Sequence, residues 1–161
     1  MSRPAYYREM WIPEGKAGTR ATLYQMREVA VQDSRQSLVQ QLAQTYPSPI
    51  FIEQFFRMCW DIVPDPENCE YVRAPRYQVE CYLETGRLEG DCDDAAVLAS
   101  SMLRSIGWPS FLIAIRMPGQ SDFSHVFCSA VQDGFRVSID PIVPAGQLPI
   151  TDMIEVMTMP V

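Results

Sequence analysis

A change of period at Gly107 constrains this chain more than any other feature. Before it, residues 92–106 carry apolar side chains at helical spacing. After it, residues 111–116, 125–131 and 135–140 alternate with period two, the mark of half-buried strands. Asp91 stands at the N-cap position, Asp94 three residues on at the capping-box position, and Gly107 just past the end, so this helix has its own start and stop signals. Asp133-Gly134 separates the last two strands by a two-residue turn, which predicts a tight hairpin. A central helix followed by antiparallel strands is an α+β arrangement, with N-terminal helices and a Cys-bearing helix packed on a small antiparallel sheet.

The helices upstream follow from the same spacing rule. Leu23, Met26, Val29 and Ala30 share one face, and Leu38, Val39, Leu42, Ala43 and Tyr46 share another, with Ser34 as the expected cap between them. Ser48 caps a third helix that has Pro49 at its first position and carries Ile50, Phe55, Phe56, Cys59, Ile62 and Val63, until Pro64-Asp65-Pro66 ends it. A short extended piece is expected at 70–72, and a helical turn at 78–84 closed by Gly86. Three regions result: an extended N-terminal arm over 1–18, a domain over 19–144, and a C-terminal tail over 145–161. Within the tail, residues 151–159 read as a short helix or as a strand docked on a neighbour.

Composition narrows the partners. At 161 residues with 47% apolar side chains, the chain suits one compact domain. A net charge of −7 and a pI near 4.6 oppose binding to phosphate backbones or anionic lipid, so neither nucleic acid nor membrane is expected. No run of residues reaches the length of a membrane span, and residues 1–14 lack the apolar segment of a signal peptide. The five cysteines, Cys59, Cys69, Cys81, Cys92 and Cys128, are odd in number and form no C-x-x-C pair. That pattern argues against a zinc ribbon or a disulfide framework and fits a reducing cytoplasm.

The chemistry-bearing residues stand in an informative order. A two-residue hairpin loop makes Gln132 face Phe135 and Phe127 face Asp140. His125, the chain's one histidine, then lies diagonal to Asp140, about 7–8 Å away across the pair. Val126, Cys128, Ala130, Phe135, Val137 and Ile139 form an apolar side, and His125, Ser129, Arg136, Ser138 and Asp140 a more polar one, interrupted by Phe127 and Val131. Cys92 opens the central helix, where unpaired amides and the helix dipole favour a thiolate and where its own N–H is available to an oxyanion. Asp91, Asp93 and Asp94 oppose the thiolate by like charge.

Gln78 and Tyr82 are candidates for a second oxyanion donor, and Trp108, Phe111 and Phe123 for a substrate pocket. A lone histidine in a strand is usually structural, and a cysteine among five is usually a small buried hydrophobe. The three together, in this order, point to a nucleophile Cys92, a base His125 and an orienting Asp140. One histidine and no close ligand pairs argue against a metal site, and acyl transfer by such a triad needs no cofactor.

These motifs resemble the transglutaminase-like superfamily, relatives of papain-type thiol enzymes. Gly90, Cys92, Asp94 and Ala96 match its G-x-C-x-D-x-A helix start, His125-Val126 its histidine strand, and Asp140-Pro141 its acid at a strand end. The likeness covers residues 70–141. Gly90-Asp91-Cys92-Asp93-Asp94, with Ala17-Gly18-Thr19-Arg20-Ala21-Thr22-Leu23 upstream, is similar to small transglutaminase-like proteins of tailed bacteriophages. The resemblance implies a Cys-His-Asp triad acting on peptide or carboxamide bonds, in a bacterial host cell or a virion. It leaves open cross-linking, hydrolysis, or a catalytically silent docking module at a phage tail or head–tail junction. In that last role Tyr6, Tyr7 and Trp11 of the arm, and the Pro-rich tail, would meet other virion proteins.

Overall fold

Capping chemistry decides where the helices begin and end. In the computed structural model, which describes residues 14–67, 71–144, 147 and 155–161, α5 (Cys92–Ser105) opens on Asp91. The Asp91 carboxylate accepts from the Asp93 and Asp94 amides at 3.1 and 3.4 Å, and Asp94 accepts in return from the Asp91 amide. A cap of this kind contributes about 1 kcal/mol. Past the end, Gly107 has φ +80°, the left-handed stop expected there. α3 (Pro49–Cys59) starts as expected, with Ser48 accepting from the Phe51 amide. α1 (Gly15–Asp33), α2 (Ser37–Thr45) and α4 (Pro75–Thr85, stopped by Gly86 in the left-handed region) complete the helices.

Several expectations are corrected. Residues 15–18 begin α1 rather than belonging to an arm, and residues 1–13 lie outside the described residues. Ser34 closes α1 and bonds back to the Val31 carbonyl; the N-cap of α2 is Gln36, without a side-chain bond. α3 ends at Cys59, because residues 60–62 leave it as β1 (Trp60–Ile62), which pairs in parallel with β2 (Leu88–Gly90). Tyr71 and Val72 form no strand, and Glu70 lies outside the described residues.

The second sheet holds the antiparallel strands β3 (Ser110–Arg116), β4 (His125–Gln132), β5 (Phe135–Ile139) and β6 (Glu155–Pro160), in the order β5-β4-β3-β6. Asp133 and Gly134, at φ +52° and +80°, make the hairpin turn, and the pairing runs Gln132 to Phe135 through Cys128 to Ile139, as the loop length implied. The tail returns as β6 along β3, with Leu112 opposite Met159; residues 151–154 lie outside the described ones.

Burial explains the positions of the layers. α5 is enclosed from Asp94 to Leu103, with α2, α3 and α4 on one side and α1 on another. Leu98, Ala99, Met102 and Leu103 meet Val39, Ile52, Phe55, Phe56 and, from the sheet, Cys128, Ala130 and Ile139. Ala96 and Val97 meet Leu23, Met26 and Ala30 of α1 with Leu112, Ala114 and Val126. The split of the hairpin into apolar and polar sides holds only in part. Phe135 is 46% exposed at the sheet edge beside Trp108, whereas Phe127 and Ser129 on the other side are buried, Phe127 with Ile113 and Ile115. The effect that places the site is the enclosure of α5: its first turn arrives at the end of β4 that begins with His125.

Candidate active site

Hairpin register brings His125 and Asp140 together. His125 Nε2 lies 2.6 Å from Asp140 Oδ2, and both side chains are nearly excluded from solvent, at 8% and 1% exposure. The other carboxylate oxygen, Oδ1, accepts from the Ile142 and Val143 amides at 3.0 and 3.1 Å, and the Asp140 amide donates to Glu53 Oε2 at 3.1 Å. A carboxylate accepts, so the contact assigns the Nε2 proton to this bond and leaves Nδ1 as the other ring nitrogen. Asp140 therefore fixes both the orientation and the tautomer of the imidazole.

Cys92 occupies the first turn of α5 and lines a cavity of about 330 Å³ together with His125, Asp91, Asp93, Phe123 and residues of α1. Among the described residues nothing accepts from its backbone N–H, the orphan donor of a helix start. Its thiol donates to Asp93 Oδ1 at 3.5 Å, and the Val126 amide bonds to the sulfur. The expected lowering of the thiol pKa is not found. Burial pushes the thiol well above its ordinary value, Asp93 and Asp91 add to the rise, and the Val126 amide offsets only part of it. Desolvation and two nearby carboxylates outweigh the amides of one helix end.

A buried carboxylate supports this turn from below. Asp94 is fully enclosed, accepts from the Arg73 amide at 2.7 Å, and has the Arg73 guanidinium 3.6 Å from its Oδ2. Burial raises its pKa to about 7, against the pull of Arg73 and with a further push from Asp91, whose own pKa burial also raises. A raised folded-state pKa means that the native state holds the proton more tightly than the unfolded chain does. The stability from Asp94 is full below the unfolded value near 4 and declines as pH rises toward 7, and Asp91 acts in the same direction. The thermal midpoint is expected to fall between pH 5 and pH 8. Asp94→Asn should flatten that slope; an equally steep slope in the variant would show that Asp94 does not titrate in the fold.

Other sequence candidates lie elsewhere. Gln78 is buried with its amide nitrogen committed to the Arg73 and Asp94 carbonyls, and Tyr82 packs edge-on against Phe55 in the core, so neither is a second oxyanion donor. Of the three aromatic pocket candidates, Phe123 lines the cavity, Trp108 stands beside Arg104 and Val161 in a separate hollow, and Phe111 packs with Ile113 and Ile115. Asp91, Cys92 and Asp93 bring potential ligand atoms within 4.8 Å of one another. Asp91 Oδ1 is spent on two amides and the sulfur is a protonated donor, an unfavourable set for a cation. Sequence reasoning missed Glu53 behind Asp140, since an i,i+4 Glu-Arg pair in a helix reads as a solvated surface pair.

No family model matches the chain, and no curated protein matches it. Among solved structures, one of a candidate protease from Parabacteroides distasonis is similar, with a TM-score of 0.57 and 17% identity over 86% of this chain. This chain spans 32% of that protein's length. The likeness is one of fold, and the described residues of this chain form an α+β architecture of helices on a small antiparallel sheet.

Proposed function

We propose that this chain is a thiol-dependent acyl-transfer enzyme acting on peptide or carboxamide bonds, of the transglutaminase-like kind its motifs resemble, including the phage proteins. The observation that carries the reading is the His125–Asp140 pair, buried and 2.6 Å apart, opening on the same cavity as the helix-start thiol of Cys92. The raised thiol pKa selects the form of the mechanism. Cys92 rests as a neutral thiol donating to Asp93, so it is not a stored thiolate; it turns from Asp93 toward His125 Nδ1, which removes the proton as sulfur attacks.

The carbon–sulfur bond forms while the proton moves to Nδ1. The carbonyl oxygen gains charge at the unpaired Cys92 amide, and the carbon–nitrogen bond then breaks as the imidazolium returns the proton to the leaving amine. Water attacks the thioester to give the acid, or an amine attacks to give a new amide; either route regenerates the thiol.

Intact-mass labelling with 2-chloroacetamide tests this. Among the four described cysteines the adduct is expected on Cys92 alone, slowed at least about tenfold by His125→Ala, because general-base help is worth about 10²–10⁴-fold. Cys59 and Cys81, both half-buried and outside the cavity, should stay unlabelled. Labelling spread over these cysteines, or a Cys92 rate unaffected by His125→Ala, would overturn the catalytic reading in favour of a silent docking module.

A further inference from the structure

Asp140 sits on a turn, and the turn is held from behind by a helix that otherwise has no part in the site. Glu53 of α3 accepts the Asp140 amide on Oε2 and pairs through Oε1 with Arg57 Nε, one helical turn on. Arg57 Nη1 reaches the Val143 carbonyl at 3.0 Å. The two side chains therefore grip residues 140 and 143, the two ends of the turn whose interior is closed by Asp140 Oδ1. An exposed Glu-Arg pair at this spacing contributes only about 0.2–0.5 kcal/mol to a helix. This pair is built differently: Glu53 is 17% exposed, and each partner spends a hydrogen bond on the turn rather than on water. Burial raises the Glu53 pKa, with Arg57 and the Asp140 amide pulling it back, so the carboxylate is kept there against a desolvation cost.

We propose that Glu53, with Arg57, is a positioning residue, which sets the Asp140 carboxylate against His125 Nε2 by clamping the 140–143 turn to α3. The proposal rests on the acyl-transfer reading for its consequence but not for its geometry. Once two amides hold Oδ1, the direction of Oδ2 follows the backbone of Asp140, and Glu53 is what holds that backbone's N–H. Displacement of a catalytic group by about 1 Å costs on the order of 10²-fold in rate.

The chain's one histidine makes the test direct, because a ¹⁵N-labelled full chain has a single imidazole to read. The wild type is expected to show one downfield Nε2–H proton, the signature of a ring N–H held by a carboxylate. Glu53→Ala should lose that signal to solvent exchange and slow Cys92 alkylation by 2-chloroacetamide by about 10- to 100-fold. Glu53→Gln keeps an oxygen for the Asp140 amide and should retain the signal and most of the rate.

A folded Glu53→Ala with the signal at wild-type position and intensity would overturn the proposal. If that variant does not fold, Arg57→Met reads the same proton, and an unchanged signal there overturns it equally. Loss of the signal in a protein whose wild-type Cys92 shows no His125-dependent labelling leaves the clamp standing and removes the catalysis. An unchanged signal with intact His125-dependent labelling does the reverse.

Discussion

On the proposed acyl-transfer reading, Asp140→Asn should lower turnover about 10³- to 10⁴-fold while leaving the protein folded. The size of the effect follows from which oxygen is committed to what. Oδ1 accepts from the Ile142 and Val143 amides, and Asn at this position keeps its carbonyl oxygen there, since only an oxygen satisfies two donors. Its NH₂ must then take the place of Oδ2, facing His125 Nε2. Two donors cannot share a hydrogen bond, so the imidazole shifts its proton to Nδ1 and offers Nε2 as the acceptor. The nitrogen assigned to deprotonate Cys92 then carries a proton itself, and the base is lost with the geometry intact.

Stability should change by only about 1 kcal/mol, the net worth of one hydrogen bond. The checks are single-turnover acylation for rate, a thermal scan for folding, and the imidazole ¹⁵N shifts for the tautomer. Acylation within about fivefold of wild type would mean that Asp140 is a structural turn residue and that His125 is oriented by something else.

The hairpin that joins His125 to Asp140 was readable in the sequence. Asp133-Gly134 permits one two-residue turn, that turn fixes the register, and the register decides that His125 and Asp140 share a face. Both ends of α5 were readable for the same reason, because Asp91 and Asp94 at its start and Gly107 past its end act within a few residues of themselves.

What the sequence did not disclose is non-local. Ile62 and Val63 continue the helical spacing of α3, yet the chain leaves the helix after Cys59 to pair with Leu88–Gly90; a three-residue strand has no period to detect. Glu53 and Arg57 have the spacing of an ordinary surface pair, and their turn partner lies at residues 140 and 143. The thiol shows the same division. The helix-start amides that favour ionisation are local, whereas the enclosure that opposes it comes from α1 and β4 closing over the first turn of α5. Local chemistry put the cysteine at a helix start and the histidine and aspartate on one hairpin face, and distant packing raised the thiol's pKa.

Gly90→Ala should cost about 3 kcal/mol or more, and it tests whether the G-x-C-x-D pattern is a packing requirement. A Cβ on Gly90 would meet Asp94 Cβ at 2.6 Å and Cγ at 2.9 Å, inside any real contact distance, and the glycine's φ of +151° is one that L side chains rarely adopt. Neither partner has room to retreat. Asp94 is fully enclosed and tied to the Arg73 and Asp91 amides. The Gly90 carbonyl accepts from Trp60 Nε1 at 3.1 Å and from the Val63 amide at 3.0 Å, which pins the backbone from the opposite side. The added methyl must break the capping box or the β1–β2 ladder, and both lie within two residues of Cys92. At this chain length 3 kcal/mol corresponds to a fall of about 6–12 °C in the thermal midpoint. Asp94→Ala in the same chain should recover only part of the loss, because it removes the carboxyl group but keeps the Cβ at 2.6 Å, an interaction that a double-mutant cycle would expose. A midpoint within about 2 °C of wild type for Gly90→Ala alone would show that the turn relaxes freely, and the glycine would then need an explanation other than the crowding of Asp94.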